Sequence, residues 1–103
     1  IANWIKNQNQ EVNLIVGMMK DKEHIEFIKS FRNIVNSITL IDIPNQDGAI
    51  SKENLESKLK ELNLNIKKSH SIESAIKSLS KNVNTITVCI GSLYLAGEIL
   101  KLN

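Results

Sequence analysis

The chain has 103 residues, 42% hydrophobic and 23% charged, with 13 basic and 11 acidic side chains and a net charge of +2. This length sets one domain, 1–103, and such a chain buries roughly 65% of its unfolded surface, enough for a single core. The charge is near balance, the basic residues are scattered, and only Lys67 and Lys68 are adjacent; this argues against nucleic acid or an anionic membrane as partner.

The elements alternate along the chain. Residues 1–9 read as a short helix with Ile1, Trp4 and Ile5 inward. Because helical spacing is under way at Ile1, the first residue is not expected to be the natural start. Residues 13–17 read as a strand, and 22–35 as a helix with Ile25, Ile28, Phe31, Ile34 and Val35 in one stripe and Asp21 as its cap. A second strand spans 38–43 and stops at Pro44, and the turn-rich segment 44–49 reads as a loop. Ser51 opens a helix with Leu55, Leu59 and Leu62 inward. A weak third strand at 65–69 belongs near an edge. Ser71 opens the next helix, with Ile72, Ala75, Ile76 and Leu79 inward. Residues 85–90 form the last strand, and a final helix runs from about Ser92 to Leu102.

Strand–helix alternation at these spacings gives parallel βαβ units. The expected fold is a Rossmann-like three-layer α/β domain with a mainly parallel sheet. Runs such as Leu14-Ile15-Val16 and Val88-Cys89-Ile90 fit strands covered on both faces. Two junctions share one form, a buried strand ending at a glycine before a helix: Asn13 to Glu23, and Thr85 to Leu100. Free N–H groups at a helix start suit an anion. In open α/β sheets ligands sit at the carboxyl ends of the strands. That places Gly17–Lys22 and Gly91–Tyr94 on the functional rim.

Several chemistries are excluded by pattern. There is no phosphate-loop motif, no dinucleotide fingerprint and no nucleophile elbow around Ser92. One cysteine and the distant His24 and His70 make no zinc site. Asp42 stands without the neighbouring acidic pair that a phosphoacceptor site needs. His24 and His70 read as surface residues at helix starts, and Met18 and Met19 as packing under the rim loop. Cys89 excludes an internal disulfide and reads as a core thiol in a reducing compartment. No signal peptide is apparent, and no apolar run spans a bilayer, so the expected location is cytoplasmic.

The two rim segments, VGMMKDKE (Val16 to Glu23) and CIGSLYLAGEIL (Cys89 to Leu100), together resemble the C-terminal domain of folylpolyglutamate synthase and dihydrofolate synthase, in the Mur ligase superfamily. The first is similar to that family's strand, glycine, lysine-and-aspartate loop and helix. The second is similar to its Gly-Ser-(Leu or Phe)-Tyr turn before the last helix. Order, separation and the helices opening at Ser51 and Ser71 agree, so the resemblance covers nearly the whole chain. It implies a reaction in which ATP phosphorylates a carboxylate of a folate or pteroate and the amine of glutamate attacks the acyl phosphate. ATP and magnesium would be held mainly by an N-terminal ATP-binding domain of the same enzyme, which is the implied partner. Folate and glutamate are the implied substrates.

Carried over by motif, Ser92 matches the family serine that contacts the incoming glutamate. Lys20 and Lys22 match a basic rim facing phosphate or glutamate. Tyr94 and Asp21 are further candidates without an assigned role, and no catalytic or metal-ligating residue is assigned. Two departures stand out. The family's Asp-Gly-Ala-His-Asn stretch falls before this chain begins, and Asn45-Gln46-Asp47 occupy a loop that is often basic. The expectation is a ligase domain inactive alone. The residues also leave open a stand-alone ligand-binding or regulatory module, or a non-functional remnant of a split gene.

Overall fold

A computed structural model describes residues 5, 7, 10–81 and 85–90, the last with its backbone only. Its elements are β1 (Glu11–Val16), α1 (His24–Lys29), β2 (Ser37–Leu40), α2 (Lys52–Leu59) with a 3-10 turn over Lys60–Leu62, β3 (Ile66–Lys68), α3 (Ile72–Leu79) and β4 (Thr85–Ile90). The four strands form one parallel sheet in the order β3-β2-β1-β4. The alternating α/β reading and the edge position of the short third strand are borne out. The final helix expected after Ser92 lies outside the described residues, as do Ile1 and Trp4. Ile5 is buried, as the first helix required.

The continuous apolar run of β1 is divided by the strand pleat, because successive side chains point to opposite faces. Val12, Leu14 and Val16 join Ile38 and Leu40 under α1 and α2, where Ile28, Phe31, Leu55 and Leu59 complete an aliphatic core. Ile15 and Ile41 lie on the other face against Ile72 and Ala75 of α3. Helices therefore cover both faces, which is the three-layer arrangement. Phe27 and Phe31 meet edge to face at 5.4 Å between centroids.

Four local expectations are corrected. The helix expected over 22–35 is shorter, because after Lys29 the backbone tightens: N–H groups of Ser30, Phe31, Arg32 and Ile34 each bond three residues back, and Asn33 takes a left-handed φ of 68°. With that change of period Ile25 turns outward, 46% exposed, while Phe31 remains buried. The second strand ends at Leu40, and Ile41 to Ile43 run on as irregular but mostly buried chain. Leu62 is buried on the 3-10 turn rather than on α2, and Asn63, at φ 52°, ends that turn. The capping serines behave as expected: Ser51 Oγ accepts from the Asn54 N–H and Ser71 Oγ from the Ser74 N–H.

Candidate functional site

The strand order fixes where a crevice can form. The chain moves from β1 through β2 to β3 in one direction, then crosses to place β4 on the far side of β1. The reversal lies between β1 and β4, and their carboxyl ends form the topological switch point at which such sheets bind ligands. Val16 and Ile90 are paired in register as the last residues of the two strands. Gly17 follows one and Gly91 the other. The strands that open the two segments singled out in the sequence thus lie side by side and end together.

After β1 the chain is held close to the sheet. A Cβ on Gly17 would meet Ile43 Cγ1 at 2.9 Å, so this position admits only glycine without a shift of the neighbour. Met18 to Lys20 then pair antiparallel with Gly48 to Ile50: the Lys20 N–H donates to the Gly48 carbonyl at 2.8 Å and the Ile50 N–H to Met18 at 3.1 Å, with a bridge between Met19 and Ala49. Met18 is buried and the Met19 methyl packs over Gly48. Both methionines thus lie under the loop, as read from the sequence.

Met19 to Lys22 form a tight turn, with the Lys22 N–H 3.4 Å from the Met19 carbonyl. Lys20, Asp21 and Lys22 are all exposed. Asp21 is therefore a turn corner and not the helix cap; Glu23 occupies the cap position of α1 and makes no side-chain capping bond. Among the described residues neither Lys20 nor Lys22 forms an ion pair. Ser92 and Tyr94 lie outside the described residues.

The neighbouring strand end is occupied by its own chemistry. Asp42, just past β2, accepts from the Lys52 backbone N–H at 2.8 Å and from Lys52 Nζ at 2.7 Å, and so adds a carboxylate to the start of α2. Burial pushes the Asp42 carboxyl up, but the two Lys52 donors and the ammonium charge outweigh it, and the group titrates below its usual range. The Asp42 hydrogen bond is the chief cause holding Lys52 above its ordinary value. This pair fixes a helix start, whereas Lys20 and Lys22 on the turn after β1 stand exposed.

Three further groups complete the picture. His24, expected at the surface, is 4% exposed, and its Nε2 lies 2.8 Å from the Met19 carbonyl. His70 is exposed and its Nε2 lies 3.1 Å from Ser74 Oγ. Cys89 is half-buried on β4, and burial pushes its thiol up, which lowers its reactivity near neutral pH. Among the described residues no group of three or more His, Cys, Asp or Glu side chains can hold a metal ion. No helix among the described residues is long and apolar enough to cross a membrane.

An open parallel α/β domain with a topological switch point between β1 and β4 is the class that this geometry defines. Within that class, the chain has the fold found in folylpolyglutamate synthases. It superimposes on the Mycobacterium tuberculosis folylpolyglutamate synthase complexed with ADP and AMPPCP with a TM-score of 0.79 at 16% identity, over 89% of this chain and 23% of that one. The Escherichia coli FolC structure with ADP gives 0.77 at 19% identity, over 98% and 24%. The Thermotoga maritima folylpolyglutamate synthase gives 0.71 at 17% identity, over 89% and 21%. The chain thus spans less than a quarter of the length of these enzymes. No protein-family model matches the sequence, and no curated protein matches it. The likeness read from VGMMKDKE and CIGSLYLAGEIL is therefore borne out in the fold.

Proposed function

We propose that this chain is the C-terminal domain of an ATP-dependent amide ligase that joins glutamate to a folate or dihydropteroate, and that it is inactive alone. The observation that carries the reading is the pairing of Val16 with Ile90, which starts both resembling segments from adjacent strands at the switch point. The fold likeness to folylpolyglutamate synthases, some of them bound to ADP or ATP analogues, supports the same assignment.

In this reading the larger N-terminal domain holds ATP and magnesium and carries out phosphoryl transfer to the folate carboxylate. The present domain closes over it. Lys20 and Lys22 present positive charge to phosphate or to glutamate, and Ser92 offers a hydroxyl beside helix N–H groups to the glutamate carboxylate. Closure excludes water from the acyl phosphate, so that the glutamate amine and not water attacks it and phosphate departs.

The test has two arms. The 103-residue chain, given ATP, magnesium, folate and glutamate, is expected to yield no product. The polypeptide that carries this sequence in its source cell is expected to have an intact mass several-fold above 11.6 kDa. A native mass near 11.6 kDa would replace the ligase with a stand-alone binding module or a remnant. Turnover by the isolated chain would end the claim that it is inactive alone.

A further inference from the structure

The turn that carries both rim lysines closes on a single oxygen. Lys20 and Asp21 are its central residues and Lys22 its last. The closing bond, from the Lys22 N–H to the Met19 carbonyl, is long at 3.4 Å and by itself holds the turn weakly. A second donor reaches the same oxygen: His24 Nε2, at 2.8 Å. A carbonyl only accepts, so Nε2 carries the proton. The antiparallel ribbon with Gly48–Ile50 fixes Met18 to Lys20 from one side, but its bonds stop at the Lys20 N–H. The His24 ring supplies the tie on the other side, and it does so from a buried position, 4% exposed, between exposed Glu23 and Ile25. Burial alone would be satisfied there by an apolar side chain. What imidazole adds is the donor.

We propose that His24 is a positioning residue: its Nε2–H locks the Met19–Lys22 turn so that Lys20 and Lys22 are presented to an anionic ligand in one arrangement. This rests on the reading of the two lysines as ligand contacts. The gain is preorganisation, since a turn already held in its bound form loses less freedom on binding.

Two amide substitutions separate the donor from the bulk. In His24→Gln the side-chain nitrogen reaches the place of Nε2, whereas in His24→Asn it stops near the place of Nδ1. Both bury an amide, so the general cost of a polar group is matched. Amide hydrogen exchange in the isotope-labelled 103-residue chain reads the result. The Lys20 and Lys22 amides should exchange about tenfold faster in His24→Asn, the scale of one net hydrogen bond. They should stay near wild type in His24→Gln, with the Leu14 and Leu40 amides of the sheet unchanged in both. Equal protection in the two variants, or equal loss in the two, overturns the proposal. A parallel titration with inorganic phosphate reads the ligand side. Wild type and His24→Gln should show shifts at the Lys20 and Lys22 amides at lower phosphate than His24→Asn. If wild type itself gives no response, the lysines are not phosphate contacts, while the exchange result still decides whether His24 holds the turn.

Discussion

The amino end of the sheet and the turn after β1 treat polar groups in opposite ways. At the amino end Asn13, 3% exposed, accepts from Ser37 Oγ at 2.7 Å and from Asn36 Nδ2 at 3.0 Å, and Asn65 Nδ2 donates to the Asn36 carbonyl at 3.3 Å. Each group is answered from within the protein, and the cluster ties the starts of β1, β2 and β3 together. At the carboxyl end Lys20 and Lys22 stand exposed on a turn whose Met19 carbonyl meets both the Lys22 N–H and His24 Nε2, and among the described residues they have no ion-pair partner. A satisfied polar cluster specifies structure; in the proposed function the charges on this turn meet an anionic ligand.

The comparison breaks if the amino end proves dispensable. Asn13→Ala removes the acceptor of the buried Ser37 hydroxyl and of the exposed Asn36 amide, and stability should fall by about 1–3 kcal/mol in chemical denaturation, the cost of stranding a buried polar group. A change under about 0.5 kcal/mol would mean that the cluster specifies nothing.

At the carboxyl end the backbone and the charges should separate. Gly17→Ala pushes a methyl into Ile43, and the expected cost is about 1–3 kcal/mol of stability. Lys22→Ala should leave the melting temperature unchanged, within the usual small range for exposed sites. In the native polypeptide it should lower glutamate addition about tenfold, the worth of one charge-assisted contact. Loss of stability without loss of activity would make Lys22 a structural residue.

The smallest effect belongs to Asp42. Its carboxyl is lowered in the folded protein, so its contribution is present above the ordinary unfolded value of ~3.9 and is lost as pH falls through the folded value. The pair with Lys52 is partly exposed, and Asp42→Asn should cost about 0.5–1 kcal/mol at neutral pH. That difference should vanish in strong acid, which melting curves across pH will show.

The legible parts of the fold were those written in local pattern. The run Leu14-Ile15-Val16 before Gly17, and the serines at 51 and 71 ahead of periodic leucines and isoleucines, each carry their signal within a few residues. Asn13 gave none, because its partners lie 23 and 24 positions away. The burial of His24 is hidden from local pattern for a related reason. A histidine at a helix start ordinarily faces water, and only the backward fold of the Met19–Lys22 turn brings a carbonyl over its ring. Asp21 has the right residue type and position for a cap, but that same turn takes it to a corner. Ile25 fits the apolar stripe only on a single period across 22–35, whereas the chain changes from four-residue to three-residue bonding after Lys29. Of the candidate site, the strand ends before Gly17 and Gly91 were legible from the apolar runs that precede them. What the sequence lacked was the pairing that sets Val16 beside Ile90.

The most direct test of the central claim is ATP-dependent transfer of labelled glutamate to folate or dihydropteroate by the native polypeptide that contains this chain. The account predicts product from the intact enzyme and a marked loss with Ser92→Ala. A folded, ATP-binding native polypeptide that forms no glutamyl product with either acceptor would contradict it.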